Sequence, residues 1–208
     1  MSESTGRQPL TRRDEYAEIT RLAVIGAARE LFGRYGHAKT KVDDIACRAR
    51  VSPSTVYATC GGKQGLLETL MDTWTEGPVI QEIVDDCRNA STGRGMLAIL
   101  ADGYLTVYGQ SGDIMRIVTE AASSTVSAQE CLRTANARHR QALAEIVAGI
   151  RVTGELLSGL SDDDVVKAIF YHFRYEQFAL ATEEFGWSRV RSRDTIRTWL
   201  ERAVLTQC

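Results

Sequence analysis

The stretch from Thr40 to Lys63, TKVDDIACRARVSPSTVYATCGGK, limits the possible folds of this chain more than any other segment. Thr40 is predicted to N-cap a helix, with Asp43 at the third helical position to return the bond of a capping box. Val42, Ile45, Ala46 and Ala49 fall at i, i+3, i+4 and i+7 and form one apolar stripe. Arg50 and Val51 make a turn. Ser52 caps the next helix, and Pro53 occupies its first position, where a missing N–H costs nothing. That second helix, 53–59, has only Val56 and Cys60 as an inward face. Pro53, Ser54, Thr55, Tyr57, Ala58 and Thr59 are left to face outward. Such a helix is a poor core element and a good probe for a DNA major groove, where the N-terminal residues of a recognition helix touch base edges. An ordinary αα-hairpin fits the same residues, and the stretch alone leaves both open.

The surroundings extend the pattern: Ile25-x-x-Ala28-x-x-Leu31-Phe32-x-x-x-Gly36-His37-x-x-Thr40-x-Val42-x-x-Ile45-Ala46, then Val51-Ser52-x-x-Thr55-Val56-Tyr57, then Lys63-x-x-Leu66-Leu67. This run resembles the DNA-binding domain of the TetR family of transcriptional regulators over roughly residues 22–70. The resemblance implies a three-helix head, a larger helical ligand-binding and dimerisation body, and a homodimer on a palindromic operator. Ligand-released repression is the activity it implies. Matching positions one by one, Pro53 and Ser54 approach bases. Tyr57 and Lys63 match the family's phosphate contacts, and Thr40, Ser52 and Thr59 are weaker candidates of that kind. Lys63 also stands at a helix start, whose free N–H groups favour an anion, and Tyr57 joins an apolar ring to a hydroxyl that can reach the duplex backbone.

The chain departs from the family's pattern at three places. Arg50 stands where glycine is usual in the turn, at a cost on the order of 1 kcal/mol for a left-handed residue, and it can add a phosphate contact. Thr59-Cys60 stands where the family usually has an aromatic or His followed by Phe, and Gly62 where it usually has a capping Ser or Asn. With Gly61-Gly62 these changes predict a looser junction between head and body.

The division expected from this reading is a flexible tail at 1–11, a helix-turn-helix domain at 12–62 and a regulatory body at 63–208. Arg7, Arg12 and Arg13 are candidates for an arm reaching the duplex. Charge follows the division. Up to Lys63 there are 11 Lys and Arg against 7 Asp and Glu, a balance of +4, and the remainder carries 14 against 20, a balance of −6. A basic head and an acidic body suit a protein that touches phosphate at one end only. No apolar run approaches the roughly 18 residues of a membrane span, and the N-terminus lacks an apolar signal core, so the expected location is the cytoplasm. Cys47, Cys60, Cys87, Cys131 and Cys208 are dispersed without C-x-x-C spacing and read as reduced thiols. His37, His139 and His172 show no paired ligand spacing, so no metal and no cofactor are expected.

Along the chain the helices are expected at 11–35, with Ile25, Ala28, Leu31, Phe32 and Tyr35 inward, then at 63–76 and 79–89. Next come 96–108 and 114–123, parted by QSGD, then 127–150, 162–185 and 191–205. No strand alternation appears, and the class is all-α. In VVKAIFYHFRYEQFALATEEF, residues Val166, Ile169, Phe170, Phe173, Gln177 and Leu180 are expected to face a core. Tyr171, Tyr175 and Phe178, with Trp199, are candidates for a face against a second copy, since TetR-like proteins dimerise through their last two long helices. An apolar cavity with a few polar anchors can draw on Trp74, Tyr104, Tyr108, Met115, His139, Phe170, Phe173 and Gln177, or these can be plain core. The effector such a cavity implies is a small apolar or amphipathic molecule. No G-x-S-x-G, phosphate-binding glycine loop or H-E-x-x-H is present, and no enzymatic activity is expected. His172 with Glu176, and His139 with Glu145, are candidate acid–imidazole pairs, although isolated histidines on helices are more often structural or solvated. A TetR-like protein without ligand control, either a constitutive DNA binder or a protein-interaction module, is the alternative.

Overall fold

In the computed structural model, which describes residues 11–206, the fold is all-α and the chain divides into two compact units after Leu70. The first unit holds α1 (Arg12–Tyr35), α2 (Val42–Ala49), α3 (Pro53–Cys60) and the start of α4 (Gly62–Thr75). The break therefore falls within α4, beyond the buried Leu66, Leu67 and Leu70, rather than at its first residue. The second unit continues through α5 (Pro78–Asn89), α6 (Gly93–Ala122), α7 (Val126–Val152), α8 (Asp162–His172) and α9 (Tyr175–Ala179). A π-helical turn at Leu180–Glu184 leads to α10 (Arg189–Val204). The only extended pairing among the described residues is a single bridge, Leu156 to Leu205. No helix among them is long and apolar enough to cross a membrane.

In the first unit α1 begins where a capping box forms. Thr11 Oγ1 accepts from the Asp14 N–H at 3.3 Å, and the Asp14 carboxylate accepts the Thr11 N–H at 3.0 Å. Thr11 is thus a cap rather than the end of a loose tail. Arg12 and Arg13 lie in the first helical turn instead of on an arm, and Arg7 lies outside the described residues. The inward face of α1 is Val24, Ala27, Ala28 and Phe32, while the expected Tyr35 is exposed beneath Arg34.

The cap of α2 is one residue later than expected. Thr40 is buried at 3% exposure and its hydroxyl donates to the Gly36 carbonyl at 2.9 Å. Lys41 takes the cap position, and its N–H donates to the Asp44 carboxylate. Burial wins here: a hydroxyl in the core must spend its hydrogen bond locally, so it cannot also cap a helix.

The junction of α3 and α4 is tight where the sequence suggested slack. Gly61 and Gly62 have φ of 68° and 76°, in the left-handed region open to glycine. A Cβ on Gly65 would lie 1.9 Å from the Cys60 carbonyl oxygen, and one on Gly62 would lie 2.7 Å from the Tyr57 ring. Because the clash at Gly65 is with backbone, no rotamer change relieves it. Gly65→Ala is expected to destabilise the first unit by about 3 kcal/mol in a urea titration. A loss below about 1 kcal/mol contradicts this packing.

The second unit packs α5, α6, α7, α8 and α10 around Leu100, Leu143, Val147, Ile150, Ile169 and Leu200. Two boundaries differ from expectation. The QSGD segment does not interrupt α6, which runs unbroken from Gly93 to Ala122. Glycine in a helix costs about 1 kcal/mol. Burial of Tyr108, Ser111, Ile114, Met115 and Val118 along one face outweighs it. Conversely, the predicted helix 162–185 breaks at Phe173–Arg174. Phe173 turns inward against Tyr104, with ring centroids 4.7 Å apart, and Arg174 leaves the helix to pair with Glu176. The break resets the helical phase. Phe178 becomes core and Leu180 becomes exposed, the reverse of their expected orientations.

Candidate DNA interface and body cavity

The turn between α2 and α3 is closed by Arg50 in a left-handed conformation, φ 58° and ψ 42°. Its N–H bonds the Cys47 carbonyl at 3.1 Å, and the next N–H, of Val51, bonds the Ala46 carbonyl at 3.0 Å. Ser52 then caps α3: its Oγ accepts the Thr55 N–H at 3.1 Å and lies 2.7 Å from the Ser54 hydroxyl. Only Val56 of α3 is buried. Ser52, Pro53, Ser54 and Ala58 are exposed, Thr55 and Thr59 partly so, and Tyr57 is 59% exposed. Arg50 is exposed beside them.

Lys63 sits in the first turn of α4, half-buried. Its ammonium donates to the Ala38 carbonyl at 3.4 Å, and burial pulls its pKa below the usual lysine range. Of the eight sequence candidates for DNA contact, seven gather around α3 and the adjoining turns. Thr40 does not, being sealed with its hydroxyl engaged. Exposed Lys39 and Lys41, just before α2, were not among the candidates. As isolated surface lysines they carried no pattern that marked them.

The body holds a cavity of about 90 Å³. Its walls are Trp74 and Thr75 from α4, Ile80, Ile83 and Val84 from α5, Leu100, Tyr104 and Val107 from α6, and Arg138, His139, Ala142, Leu143 and Ile146 from α7. Sequence reasoning found Trp74, Tyr104 and His139 but missed the aliphatic walls, which look like any other core positions. The remaining candidates lie elsewhere. Met115 is fully buried core. Tyr108 stacks on Tyr175 and meets Phe178, with centroids 5.8 and 4.0 Å away. Phe170 and Phe173 back the His139 and Tyr104 rings rather than face the space, and Gln177 is half-buried in α9 outside the lining.

Neither candidate acid–imidazole pair forms. Glu176 is held by Arg174 and Glu145 by Arg88. Arg138, on the cavity's rim, bonds Asp72 at 2.6 Å, Thr75 Oγ1 at 3.0 Å and Glu76 at 3.0 Å. Among the described residues no group of three or more His, Cys, Asp or Glu side chains is placed to hold a metal.

Burial pushes the His139 imidazole down to about 4, helped by the Arg174 and Arg140 guanidiniums. The unfolded chain takes up a proton near pH 6.5 that the folded one refuses until about pH 4. Stability is therefore full above pH 6.5 and falls as pH drops towards 4. At about 1.4 kcal/mol per pH unit the loss is on the order of 3 kcal/mol. Comparing denaturant midpoints at pH 7 and pH 4.5, His139→Phe is expected to flatten this dependence. An unchanged slope contradicts it.

A second set of aromatics in the body is exposed or half-buried. Tyr171 and His172 of α8 lie in one band with Trp187 and with Trp199 of α10, and Phe185 adjoins Trp187. The expected partners Tyr175 and Phe178 instead turn inward onto Tyr108. His172, Phe185 and Trp187 were missed because their placement depends on the break at Phe173–Arg174.

An exposed, capped second helix after a tight turn, with a larger helical body as a separate unit, defines the helix-turn-helix class of DNA-binding regulators. Residues 24–70 match the family model for bacterial regulatory proteins of the tetR family. Over that segment the chain is similar to the DNA-binding part of tetR-family regulators. No curated protein sequence matches it. Solved structures share its fold. The fatty acid degradation regulator FadR from Bacillus halodurans is 17% identical, with 87% of this chain and 94% of that one covered at a TM-score of 0.75. FadR from Bacillus subtilis in complex with stearoyl-CoA is 18% identical, with 86% and 96% covered at 0.74. NalD, the secondary repressor of the MexAB-OprM multidrug efflux pump in Pseudomonas aeruginosa, is 19% identical, with 93% and 100% covered at 0.72.

Proposed function

We propose that the protein acts as a homodimer that represses transcription at a palindromic operator and releases it when a small molecule occupies the body. The observation that carries the reading is the outward face of α3, where every residue but Val56 is at least partly accessible in a helix too short to serve as core. Pro53 and Ser54 address base edges in the major groove. Tyr57, Lys63, Arg50, Ser52 and Thr59 hold the phosphates on either side. The dimer forms through the aromatic band of α8 and α10, and pairs two heads on half-sites one helical turn apart.

Ligand control is supported by the body cavity and by the structural relatives, one of which holds stearoyl-CoA. A body packed solid would instead favour a constitutive binder. Fluorescence anisotropy on the DNA flanking the protein's own gene tests the assignment of contacts. Lys63→Ala is expected to weaken binding about tenfold on every sequence alike, as loss of a phosphate contact does. Ser54→Ala is expected to change the ranking of operator variants at one base position. Equal losses on all variants contradict the role given to Ser54.

A further inference from the structure

We infer that His37 is a positioning residue for DNA binding: sealed and uncharged, it holds the turn between α1 and α2 against Lys63, and acidification releases that hold. The inference rests on the reading of α3 and its flanking turns as the face that grips DNA. It adds a residue that acts on that face through Lys63, without touching the duplex.

The His37 ring meets Phe32 of α1 edge-on, with centroids 4.9 Å apart. Both ring nitrogens are closed off from solvent, and neither has a hydrogen-bond partner among the described residues. Buried polar atoms without partners are rare, and a neutral ring tolerates that state far better than a charged one. The surrounding charges give a cation no relief. Lys63 of α4 is the charged group that acts on the ring, and it is positive. Glu30 of α1 is paired with Arg48, and the Asp44 carboxylate of α2 accepts the Lys41 N–H. Lys39 and Lys41, on either side of Thr40, are exposed and positive. Burial holds the imidazole below the ordinary histidine range, and the Lys63 ammonium adds to this. The nearby Lys63 backbone offsets part of the effect without forming a hydrogen bond.

The next residue, Ala38, offers the carbonyl that accepts from the Lys63 ammonium at 3.4 Å. Thr40 closes the same segment, its N–H and hydroxyl both donating to the Gly36 carbonyl. One short turn therefore carries the sealed ring and the oxygen that fixes Lys63. An imidazolium finds no acceptor in its slot and must leave it for water, taking the Ala38 carbonyl along. Lys63 then regains rotamer freedom that gripping a phosphate must remove again. The released ring takes up a proton near the ordinary pH of about 6.5, and the sealed ring only at lower pH. The sealed arrangement is thus complete above about pH 6.5 and is lost as pH falls below it. This sign is distinctive, because an exposed histidine that gains charge strengthens phosphate binding on acidification.

Anisotropy on DNA flanking the protein's own gene, at fixed salt, reads the effect. Between about pH 7.5 and 5.5 wild-type binding is expected to weaken at least about fivefold, as two linked sites per dimer allow. His37→Phe keeps the edge contact with Phe32 but cannot titrate, and its affinity is expected to change less than about twofold. His139→Phe and His172→Phe, which remove the other two histidines, are expected to keep the wild-type fall. A flat or strengthening wild-type profile, or a fall that persists in His37→Phe, overturns the assignment. NMR titration of the imidazole protons in the DNA-free full chain is the second measurement and needs no His37 variant. His37 is expected to titrate below the ordinary histidine range and to move up towards it in Lys63→Ala. Titration in the ordinary range, or no response to Lys63→Ala, overturns the assignment as well. A chain that binds no DNA at any pH removes the regulator reading and the DNA role of His37 with it. The NMR result then still decides whether the ring is sealed beside Lys63.

Discussion

Replacing Trp199 by Glu is expected to convert the protein from a dimer to a monomer and to lower its DNA affinity by about 10³-fold. Trp199 is 50% exposed near the centre of a band formed by Tyr171, His172 and Trp187, with the last two rings each 6.4 Å away. In a two-fold interface each substitution appears twice, on facing surfaces. A glutamate there places two carboxylates in an apolar, desolvated patch, where an unpaired charge costs several kcal/mol. The DNA effect follows by mass action. A dimer holds its second head at an effective concentration in the millimolar range, which raises affinity 10²- to 10⁴-fold over a single head. Trp199 belongs to the second unit, so the change leaves α3 intact. Sedimentation velocity read beside anisotropy separates the two effects. A Trp199→Glu protein that remains dimeric places the interface elsewhere on the body.

The helix-turn-helix was legible in the sequence because its signals are local. Ser52, Pro53 and the sparse inward face of Val56 and Cys60 need no tertiary information, and the structure has the same cap and the same first helical residue, with Val56 buried and Cys60 only partly so. Arg50 adopts the left-handed turn that the pattern demanded despite its side chain. Where the reading failed, long-range packing decided. Thr40 has the right chemistry to cap a helix, but the core claims its hydroxyl. QSGD has the composition of a turn, but the buried residues around Ser111 hold the helix through it. The break at Phe173 was invisible, since neither glycine nor proline marks it. The phase shift that follows moved Phe178 and Tyr175 from the outer face to the core. The cavity was half legible for a related reason: Tyr104 and His139 announce polarity, whereas Ile80, Ile83 and Ile146 differ from other core residues only by what they face.

The second large effect is the salt dependence of DNA binding. Of the contacts from Arg50, Ser52, Tyr57, Thr59 and Lys63, only those of Arg50 and Lys63 carry charge; doubled in a dimer they neutralise about four phosphates, and each neutralised phosphate contributes about −0.9 to the slope of log K against log salt. A slope of about −4, a fall of about 10²-fold between 50 and 200 mM salt, is therefore expected on DNA flanking the protein's own gene. Lys63→Ala in both protomers makes that slope shallower by about 2. This titration is the most direct test of whether α3 and its flanking turns grip a duplex. A slope near −4 that the Lys63 variant reduces is the predicted result, and a slope shallower than about −2, or one the variant leaves unchanged, contradicts it.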